Sequence, residues 1–550
     1  MNCQQTLIKE ISGGYKDFDF KLYFSEVFRQ KNGFDIVIAN PPYVSTKGRE
    51  KTYKKALKKL YNFTDDLYNH FYFKAVEIAN NNKGIITFIS SKTFWTIQTK
   101  HNLRNLLLNN RIIELYDTAS PFEAMVDTCI AIFQKDEIKD YTLTVKDGKK
   151  NLFNPKTYKL DDNIYKNAAH NVFFIPDDFN ITVYNKYNSY VKELINKWWD
   201  KIKTSRNIAK NDSALNDYRK SLKPGDITLL GLVTEGGQGL ATANNGKYIG
   251  VSDKTKGAEN IKKTRPQKLL QAVRSYNIAE LNFIKTKRDA EDYLETLAEF
   301  EIRKSFDSLK ETYGRDIFGQ GYLYKIVSEN EIADVNSLSD KEKKKGICGN
   351  KTFVPYDKGD KYGNRWYLKT PYYINWSKEN VKYLYDNSGK KGIGMPVVRN
   401  PDYYFRDGFC WTDVNSTYLK SRIKENGVYD VLSMSLFSMV YAVPNWYIVS
   451  LVNSKFISEY VDSFVNSTSH FQINDARQLP IIIPNEKQLK EFKVIFNQAY
   501  EIKKKEFSKH ITNKESENFL EDIQKKIDNM VYKLYGLAEE EIKIVENRCK

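Results

Sequence analysis

The chain has 550 residues, of which 41% are hydrophobic and 28% charged, a composition typical of a folded protein with two to four domains. Its five cysteines are scattered without paired spacing, which argues against a disulfide scaffold or a zinc site and predicts a reducing cytoplasm. No apolar run reaches membrane-spanning length, and no apolar segment precedes Cys3 as a secretion or lipoprotein signal requires.

The formal net charge is +17, and aromatic residues make up 14% of the chain. A lysine-rich solvated surface explains the charge. Binding to nucleic acid explains it equally well, because lysine and arginine displace counterions from phosphates. Composition alone leaves both explanations open.

The first strong signal is the apolar run Ile36 to Ala39, which predicts a buried strand of a parallel sheet. It stops at Asn40-Pro41-Pro42-Tyr43. The two prolines donate no ladder hydrogen bonds and fix their own φ angles, so they predict a stiff loop after the strand. Open α/β sheets bind ligands at the carboxyl ends of their strands.

This loop has the groups needed to hold a planar amine. Asn40 offers a side-chain carbonyl, Pro41 offers a constrained main-chain carbonyl, and Tyr43 offers an aromatic face. Two acceptors and a stacking surface suit a base with an exocyclic NH2, such as an extruded adenine. The alternative is an ordinary proline-rich turn with a surface tyrosine.

The elements that follow alternate as in an α/β sheet. Residues 44–64 form a lysine-rich loop that is either solvated or in contact with DNA. The apolar spacing after it predicts a helix over 65–82 and another around 98–109. Strands are predicted at 84–89, 112–116 and 128–133.

The stretch FDIVIANPPYV resembles the catalytic loop of N6-adenine-specific DNA methyltransferases, and residues 65–133 are similar to the rest of that family's catalytic half. The nearest group is the fused restriction–modification class called type IIG. The resemblance implies that Asn40 and Pro41 accept the two N6 hydrogens of a flipped adenine, with Pro42 completing the loop. It implies a base stacked between Tyr43 and Phe122.

The same resemblance implies that Asp66 and Tyr68 lie near the cofactor S-adenosylmethionine, and that Lys47 lies in a loop bordering the base. Read from the residues alone, Asp66 is at least as well explained as a helix-capping carboxylate, and Phe122 equally well as a core residue at a strand entrance. No metal is required.

The cofactor loop of the resembled family is missing from the expected place. It is a glycine-rich turn well upstream of the Asn-Pro-Pro-Tyr loop, and only 39 residues precede Asn40. The one glycine-rich loop after an apolar strand, residues 235–240, is not followed by a helix start. It looks instead like the family's Gln-Gly-Leu motif at the entry to the target-recognition region.

Residues 135–225 lose periodicity and predict a linker with one helix near 189–203. Further helices are predicted at 266–274, 290–312, 486–505 and 514–535, and the resemblance implies a closing strand at 479–484. Between them, aromatics interleave with basic residues and asparagines, which suits either DNA contact or a charged β-rich core, and the resemblance favours DNA. The candidate DNA-binding residues there are Arg365, Arg399, Arg406 and Lys420.

The sequence thus predicts an α/β fold: a partial doubly wound methyltransferase sheet, followed by an α+β target-recognition domain with C-terminal helices. The expected division is 1–150 catalytic, 151–225 linker, 226–485 recognition and 486–550 helical. The expected function is adenine-N6 methylation of double-stranded DNA, with a second chain that supplies the cofactor loop, with or without a nuclease. The alternatives are a non-catalytic recognition subunit and a structural protein with an accidental motif.

Overall fold

The computed structural model describes residues 18–122, 126–138, 140–204, 212–319, 323–360, 363–412 and 419–548. They form a mixed α/β fold in two compact units. The first unit comprises Met1–Trp199, Glu459–Thr468 and Ala538–Lys550, and the second comprises Asp200–Ser458 and Ser469–Leu537. The four-part division expected from the sequence remains a prediction.

The first unit is built on one sheet with strand order β1-β2-β4-β3-β5-β6 in the described part of the chain. β1 runs parallel to β2 and β3 parallel to β5, whereas β4 is antiparallel to both β2 and β3. The strands are β1 (Ile36–Ala39), β2 (Ile85–Ser91), β3 (Arg111–Ala119), β4 (Thr128–Gln134), β5 (Thr142–Asp147) and β6 (Lys156–Asp161).

The helices of this unit, including two that continue into residues assigned to the second, are Phe20–Tyr23, Ser25–Lys31, Lys51–Tyr61, Leu67–Ile78, His101–Leu108, Asn163–Asn167, Asp178–Thr204, Lys455–Phe464 and Glu539–Arg548. Apolar spacing explains why Leu67–Ile78 packs on the sheet: Tyr68, Tyr72 and Ala75 are buried on one face. They join Ile86, Phe88 and Phe133 of the strands in the core.

β1 differs from the expected buried strand, because only one of its faces is covered. Val37 and Ala39 pack against the core, while the side chains of Ile36 and Ile38 are 62% and 78% exposed. In the described residues β1 pairs only with β2, so it lies at the sheet edge. An edge strand without a neighbour on one side leaves backbone groups and apolar surface open.

The approach to β1 is fixed by a glycine. Gly33 has φ of +136°, and a Cβ there would lie 2.6 Å from the carbonyl oxygen of Ile78. The close approach lets Phe34 donate to that oxygen at 2.9 Å, and Asn80 donate back to Phe34 at 2.8 Å. The start of β1 is therefore bonded to the end of helix Leu67–Ile78.

Two segments differ from the sequence interpretation. The lysine-rich stretch 44–64 is not wholly a loop, because Lys51–Tyr61 is helical. Residues beyond 135 do not leave the first sheet, because β5 and β6 extend it. β6 is mostly exposed, with Leu160 buried, so its sequence lacks the apolar run of an internal strand.

The second unit carries a five-stranded sheet (β10-β9-β12-β11-β15), a four-stranded sheet (β14-β13-β16-β8) and the pair β17-β7 among its described residues. The strands are β7 (Ile227–Leu229), β8 (Thr234–Gly237), β9 (Ile249–Ser252), β10 (Lys325–Val327), β11 (Phe353–Asp357), β12 (Tyr372–Asn375), β13 (Gly408–Thr412), β14 (Ser421–Lys424), β15 (Val428–Tyr429), β16 (Ser433–Ser438) and β17 (Pro480–Ile482).

Its helices are Ser213–Ser221, Leu230–Val233, Asn245–Tyr248, Lys256–Tyr276, Lys287–Glu295, Glu299–Tyr313, Asp340–Lys345, Lys378–Asp386, Asn445–Val452, Ile473–Ala476, Glu486–Phe507 and Asn513–Leu534. The last of these buries Ile523, Ile527 and Val531, as its apolar spacing predicts. Within the described ranges no helix is long and apolar enough to cross a membrane.

Candidate active site at the strand ends of the first sheet

The carboxyl ends of strands β1, β2 and β3 lie at the same end of the first sheet. β1 and β2 are parallel, with Ala39 opposite Phe88, so Asn40, which follows β1, and Ser91, the last residue of β2, lie on the same side. β3 runs in the same direction as β2, because both are antiparallel to β4. The connection after Ala119, which carries Phe122, therefore leaves the sheet at this same end.

Asn40 is an available polar residue at this end of the sheet. It is exposed, and no described residue hydrogen-bonds to its side-chain amide. Pro41 behind it is buried and Pro42 is exposed, so the loop is seated on the protein through Pro41. The main-chain carbonyl of Pro41 also accepts no hydrogen bond from the described residues. Neither of the two acceptors predicted from the sequence is thus occupied by a donor from the part of the chain that the structure describes.

Tyr43 is half-buried, and two contacts with neighbouring residues hold its side chain in place. Its hydroxyl donates to the carbonyl oxygen of Ile89 at 3.2 Å, and its ring meets Tyr68 edge-on with centroids 6.3 Å apart. Burial raises the pKa of the Tyr43 hydroxyl, which keeps this donor protonated. The ring has the fixed orientation that a stacking residue needs.

Phe122 is 47% exposed, so it is not the core phenylalanine that the strand entrance also allowed. It lies in the connection between β3 and β4, next to residues 123–125, which are outside the described part. No contact between the Phe122 and Tyr43 rings occurs in the described structure. Two strand spacings of about 4.8 Å separate β1 from β4.

Asp66 precedes helix Leu67–Ile78, but its side chain does not cap the helix. Lys100 instead lies between two carboxylates, 2.7 Å from Asp65 Oδ1 and 2.7 Å from Asp66 Oδ2. The ammonium group is buried and also lies over the Tyr68 ring at 5.4 Å. The capping explanation of Asp66 is therefore wrong, and the carboxylate is held by an ion pair.

Tyr68 is 1% exposed, and its hydroxyl is 2.8 Å from Thr93 Oγ1. Thr93 in turn lies 3.0 Å from Ser91 Oγ at the end of β2. Tyr68 is thus linked through Thr93 to the end of β2, and its hydroxyl already has a hydrogen-bond partner. Its predicted proximity to a cofactor stays a prediction.

Sequence reasoning missed Lys100 and the helix after the loop. Lys100 had no local signal, because its partners lie 34 and 35 residues away along the chain. The helix had one: lysines at 51, 54, 55, 58 and 59 repeat with helical spacing, opposite Tyr53, Leu57 and Leu60. The absence of buried residues in this helix made the pattern look like a solvated loop.

The candidate DNA-binding residues of the second unit occupy different environments. Arg406 is exposed, with its guanidinium 5.2 Å from the Tyr403 ring centroid, and Lys420 is half-buried. Arg365 donates to Gln524 Oε1 at 2.7 Å, so it is held by the C-terminal helix. Arg399 has a buried Nη1 with no partner among the described residues. Lys47, in the first unit, is exposed.

No group of three histidine, cysteine or acidic side chains is placed to hold a metal ion anywhere in the described ranges. The glycines available to the strand ends of the first sheet are also few. In residues 18–122 they are Gly33, Gly48 and Gly84, and Gly33 and Gly84 are packed against backbone. None forms a glycine-rich turn between a strand and a helix, so these residues do not fit the whole of S-adenosylmethionine.

Residues 1–123 match the sequence model of the Eco57I restriction-modification methylase family. The chain is also 27% identical over 139 residues to the adenine-specific methyltransferase BrxX of Escherichia coli O9:H4 (strain HS), a match that covers 25% of this chain and 11% of BrxX.

Among solved structures, the chain is similar to the type IIL restriction-modification enzyme MmeI in complex with DNA, with 12% identity and a TM-score of 0.47 over 94% of this chain and 56% of that one. It is also similar to a nuclease-deletion mutant of the type ISP enzyme LlaGI bound to a DNA substrate mimic, with 12% identity and a TM-score of 0.37 over 90% and 44%. The chain therefore spans about half the length of MmeI and a ninth of BrxX.

The first part of the chain is a restriction–modification methylase segment, which confirms the resemblance recognised in the sequence. The matched segment, residues 1–123, contains Asn40 to Tyr43, Asp66, Tyr68 and Phe122.

Proposed function

We propose that this chain binds the target base and recognises the DNA site in an N6-adenine-specific DNA methyltransferase of the type IIG class. The observation that carries the proposal is the state of Asn40: within the matched family segment it is exposed at the strand ends, and no described residue occupies its amide. Tyr43 behind it and Phe122 on the neighbouring connection add two aromatic rings at the same edge.

In the proposed reaction, the adenine is flipped out of the duplex and stacks between Tyr43 and Phe122. The N6 amine donates one hydrogen bond to Asn40 Oδ1 and one to the Pro41 carbonyl. Both bonds direct the nitrogen lone pair away from the ring and stabilise the positive charge that develops on nitrogen. The stiffness of the two prolines keeps the acceptors oriented before the base arrives.

The methyl group is supplied by S-adenosylmethionine, and we propose that its glycine-rich cradle belongs to polypeptide outside these 550 residues, on a second chain. Two observations support this: no such turn follows a strand of the first sheet among the described residues, and Ile36 and Ile38 leave one face of β1 uncovered. A sheet of this class covers both faces. The partner either carries a nuclease as well or supplies the cofactor cradle alone.

The test is methyl transfer to DNA from labelled S-adenosylmethionine by this chain together with the polypeptide that completes the cofactor site. We expect Asn40→Ala to lower the rate by about 100-fold or more, the size of effect seen when one fixed charge-stabilising group is removed, with DNA affinity kept. Asn81→Ala is the matched control, because Asn81 is an exposed asparagine of the same unit that precedes β2 at the opposite edge of the sheet. Unchanged methylation by Asn40→Ala contradicts the assignment.

A second candidate is a DNA-recognition subunit whose methylase segment is inactive. The half-burial of Tyr43 and the bond from its hydroxyl to Ile89 favour it, because both limit the ring surface open to a base. The same experiment discriminates: a recognition subunit binds DNA, and its Asn40→Ala variant behaves like wild type in every assay.

A further inference from the structure

The segment directly after the Asn-Pro-Pro-Tyr loop carries an unusual concentration of free positive charge. Between residues 47 and 61 there are seven basic side chains and one acidic one, Glu50. The basic residues are Lys47, Arg49, Lys51, Lys54, Lys55, Lys58 and Lys59. None of the seven side chains has an ion pair or a hydrogen bond with any described residue, so no described carboxylate neutralises their charges.

Helical spacing places most of these charges on one face. In helix Lys51–Tyr61, here called the basic helix, Lys51, Lys55 and Lys58 follow one another at intervals of four and three residues. The opposite face carries Tyr53, Leu57, Leu60 and Tyr61. Like-charged neighbours at this spacing destabilise a helix, so a lysine face without acidic partners is a cost that a bound polyanion removes.

Contacts on both sides of the basic helix hold its segment beside the candidate active site. Val44, next to Tyr43, accepts a hydrogen bond at 2.9 Å from the N–H of Leu67, next to Asp66. At the helix C-terminus, the Tyr61 ring packs 5.0 Å from His70 and 6.2 Å from Phe73. The excursion from 45 to 66 therefore leaves and rejoins the protein beside the proposed base-binding loop.

We propose that the basic helix binds the phosphates that flank the flipped adenine on the DNA strand. This inference rests on the proposed function, since it takes DNA as the substrate of the neighbouring loop. Eleven residues span about 16 Å of helix, and phosphates along one strand repeat about every 3.4 Å along the duplex axis. The lysine face thus covers roughly four phosphates and holds the backbone while the base is extruded.

An anionic membrane surface is the other polyanion that an amphipathic basic helix can bind. The apolar face argues against it here: Tyr61 is half-buried in the aromatic cluster, and only Leu60 (73%) and Tyr53 (40%) expose large parts of their side chains. Insertion into lipid needs a continuous apolar face. The position of the helix beside Asn40 to Tyr43 favours nucleic acid.

The experiment uses the full chain and a DNA duplex of random sequence, because backbone contacts do not depend on the recognition site. In the test variant, Lys51, Lys55, Lys58 and Lys59 are all replaced by glutamine. In the control, Lys487, Lys490, Lys493 and Lys505, exposed lysines of helix Glu486–Phe507, are replaced in the same way. Both variants lose four charges. Fluorescence anisotropy measures DNA affinity over a series of salt concentrations, and thermal melting checks folding.

We expect the basic-helix variant to reduce the slope of log affinity against log salt by about 2 to 4, since each lost phosphate contact removes roughly 0.9. The control is expected to change the slope by less than about 1. An equal loss in both variants overturns the proposal, because net charge alone then explains it. So does a wild-type slope in the basic-helix variant, including the case in which that variant loses binding to phosphatidylserine vesicles instead.

The failure of this inference and that of the proposed function give different results. If the wild-type chain binds DNA with a steep salt slope that the basic-helix variant retains, only the role of the helix is overturned. If the wild-type chain shows no salt-dependent affinity for DNA, the proposed function fails, and the role of the basic helix fails with it.

Discussion

Glu425 illustrates how burial of a single carboxylate couples stability to pH. It accepts hydrogen bonds from the Tyr367 hydroxyl at 3.2 Å and the Thr370 N–H at 3.4 Å. Burial, reinforced by the nearby Asp357 charge, still raises its pKa from 4.5 to about 7. The folded state therefore holds this proton more tightly than the unfolded chain.

A raised carboxyl pKa stabilises the fold below the unfolded value and loses that contribution as the pH rises through the folded value. Glu425 should thus lower the stability of the second unit between about pH 4.5 and about pH 7, by on the order of 2 kcal/mol. Glu425→Gln removes this dependence, and urea unfolding midpoints at several pH values across the window measure it. Glu517→Gln, at an exposed glutamate, is the control. An identical pH profile for wild type and Glu425→Gln contradicts the argument.

Asp357 holds together a buried polar cluster in the second unit. It accepts from Arg422 Nη2 and from Ser433 Oγ, each at 2.8 Å, and lies 3.4 Å from Cys410 Sγ. Arg422 is only 1% exposed. Asp357→Ala leaves this guanidinium buried without its carboxylate, which should cost about 3–5 kcal/mol.

The matched control for Asp357→Ala is Asp386→Ala, which breaks an exposed ion pair with Lys382 and should cost less than about 0.5 kcal/mol. Chemical unfolding followed by tryptophan fluorescence measures both, because Trp366, Trp376 and Trp411 are buried in the same unit. A similar small loss in both variants shows that Arg422 finds another partner.

For single residues, the sequence predicted a role only where the functional groups lie next to one another along the chain. Asn40 to Tyr43 could be read directly, because one loop carries both acceptors and a ring. The partners of Lys100 and Arg422 lie 34 and 65 residues away along the chain, and nothing local specifies them. The same holds for Asp66, whose position before a helix suggested a cap rather than an ion pair.

Strand β1 exposes apolar side chains on one face, unlike a strand that is covered on both faces of its sheet. Ile36 and Ile38 point away from the core, and both are more than half exposed. We expect Ile38→Lys to leave the stability of the chain alone unchanged within about 0.5 kcal/mol, because no packing is lost. The same change should weaken association with the polypeptide that completes the sheet by about tenfold or more, since it places a charge in an apolar contact.

Ile393→Lys is the control for Ile38→Lys, because Ile393 is 85% exposed in the second unit. Sedimentation or calorimetric titration with the completing polypeptide measures the affinity. If Ile38→Lys and Ile393→Lys associate equally well, the uncovered face of β1 is not the contact surface.

Elements with a regular apolar pattern were predicted well. Helix Leu67–Ile78 and strands β2, β3 and β4 lie where their spacing indicates, and the C-terminal helices differ from expectation by at most two residues. The basic helix was missed because none of its residues is fully buried, and β5 and β6 were missed because short polar strands at a sheet margin lack an apolar run. Packing, rather than propensity, decides these elements.

At the scale of the whole molecule, the chain divides into two units with different tasks under the proposed function. The first carries the family segment and the base-binding loop, and the second carries the basic and aromatic stretches assigned to recognition. The net charge of +17 is compatible with every DNA-binding function considered for this chain. It therefore does not distinguish a catalytic subunit from a recognition subunit. Binding of the methyl donor does distinguish the complete enzyme from a part of one.

We expect the chain alone to bind S-adenosylmethionine more weakly than about 100 µM, because no described strand end of the first sheet leads through a glycine-rich turn into a helix N-terminus. Lys92 and Thr93 follow β2 in a single short turn, and Pro41 and Pro42 after β1 have no N–H to offer an anion. Isothermal titration of the purified chain, without and then with the completing polypeptide, measures the difference. Tight, saturable binding by the chain alone contradicts the split cofactor site, whereas binding that appears only in the mixture, and is weakened by Ile38→Lys, places the missing part against β1.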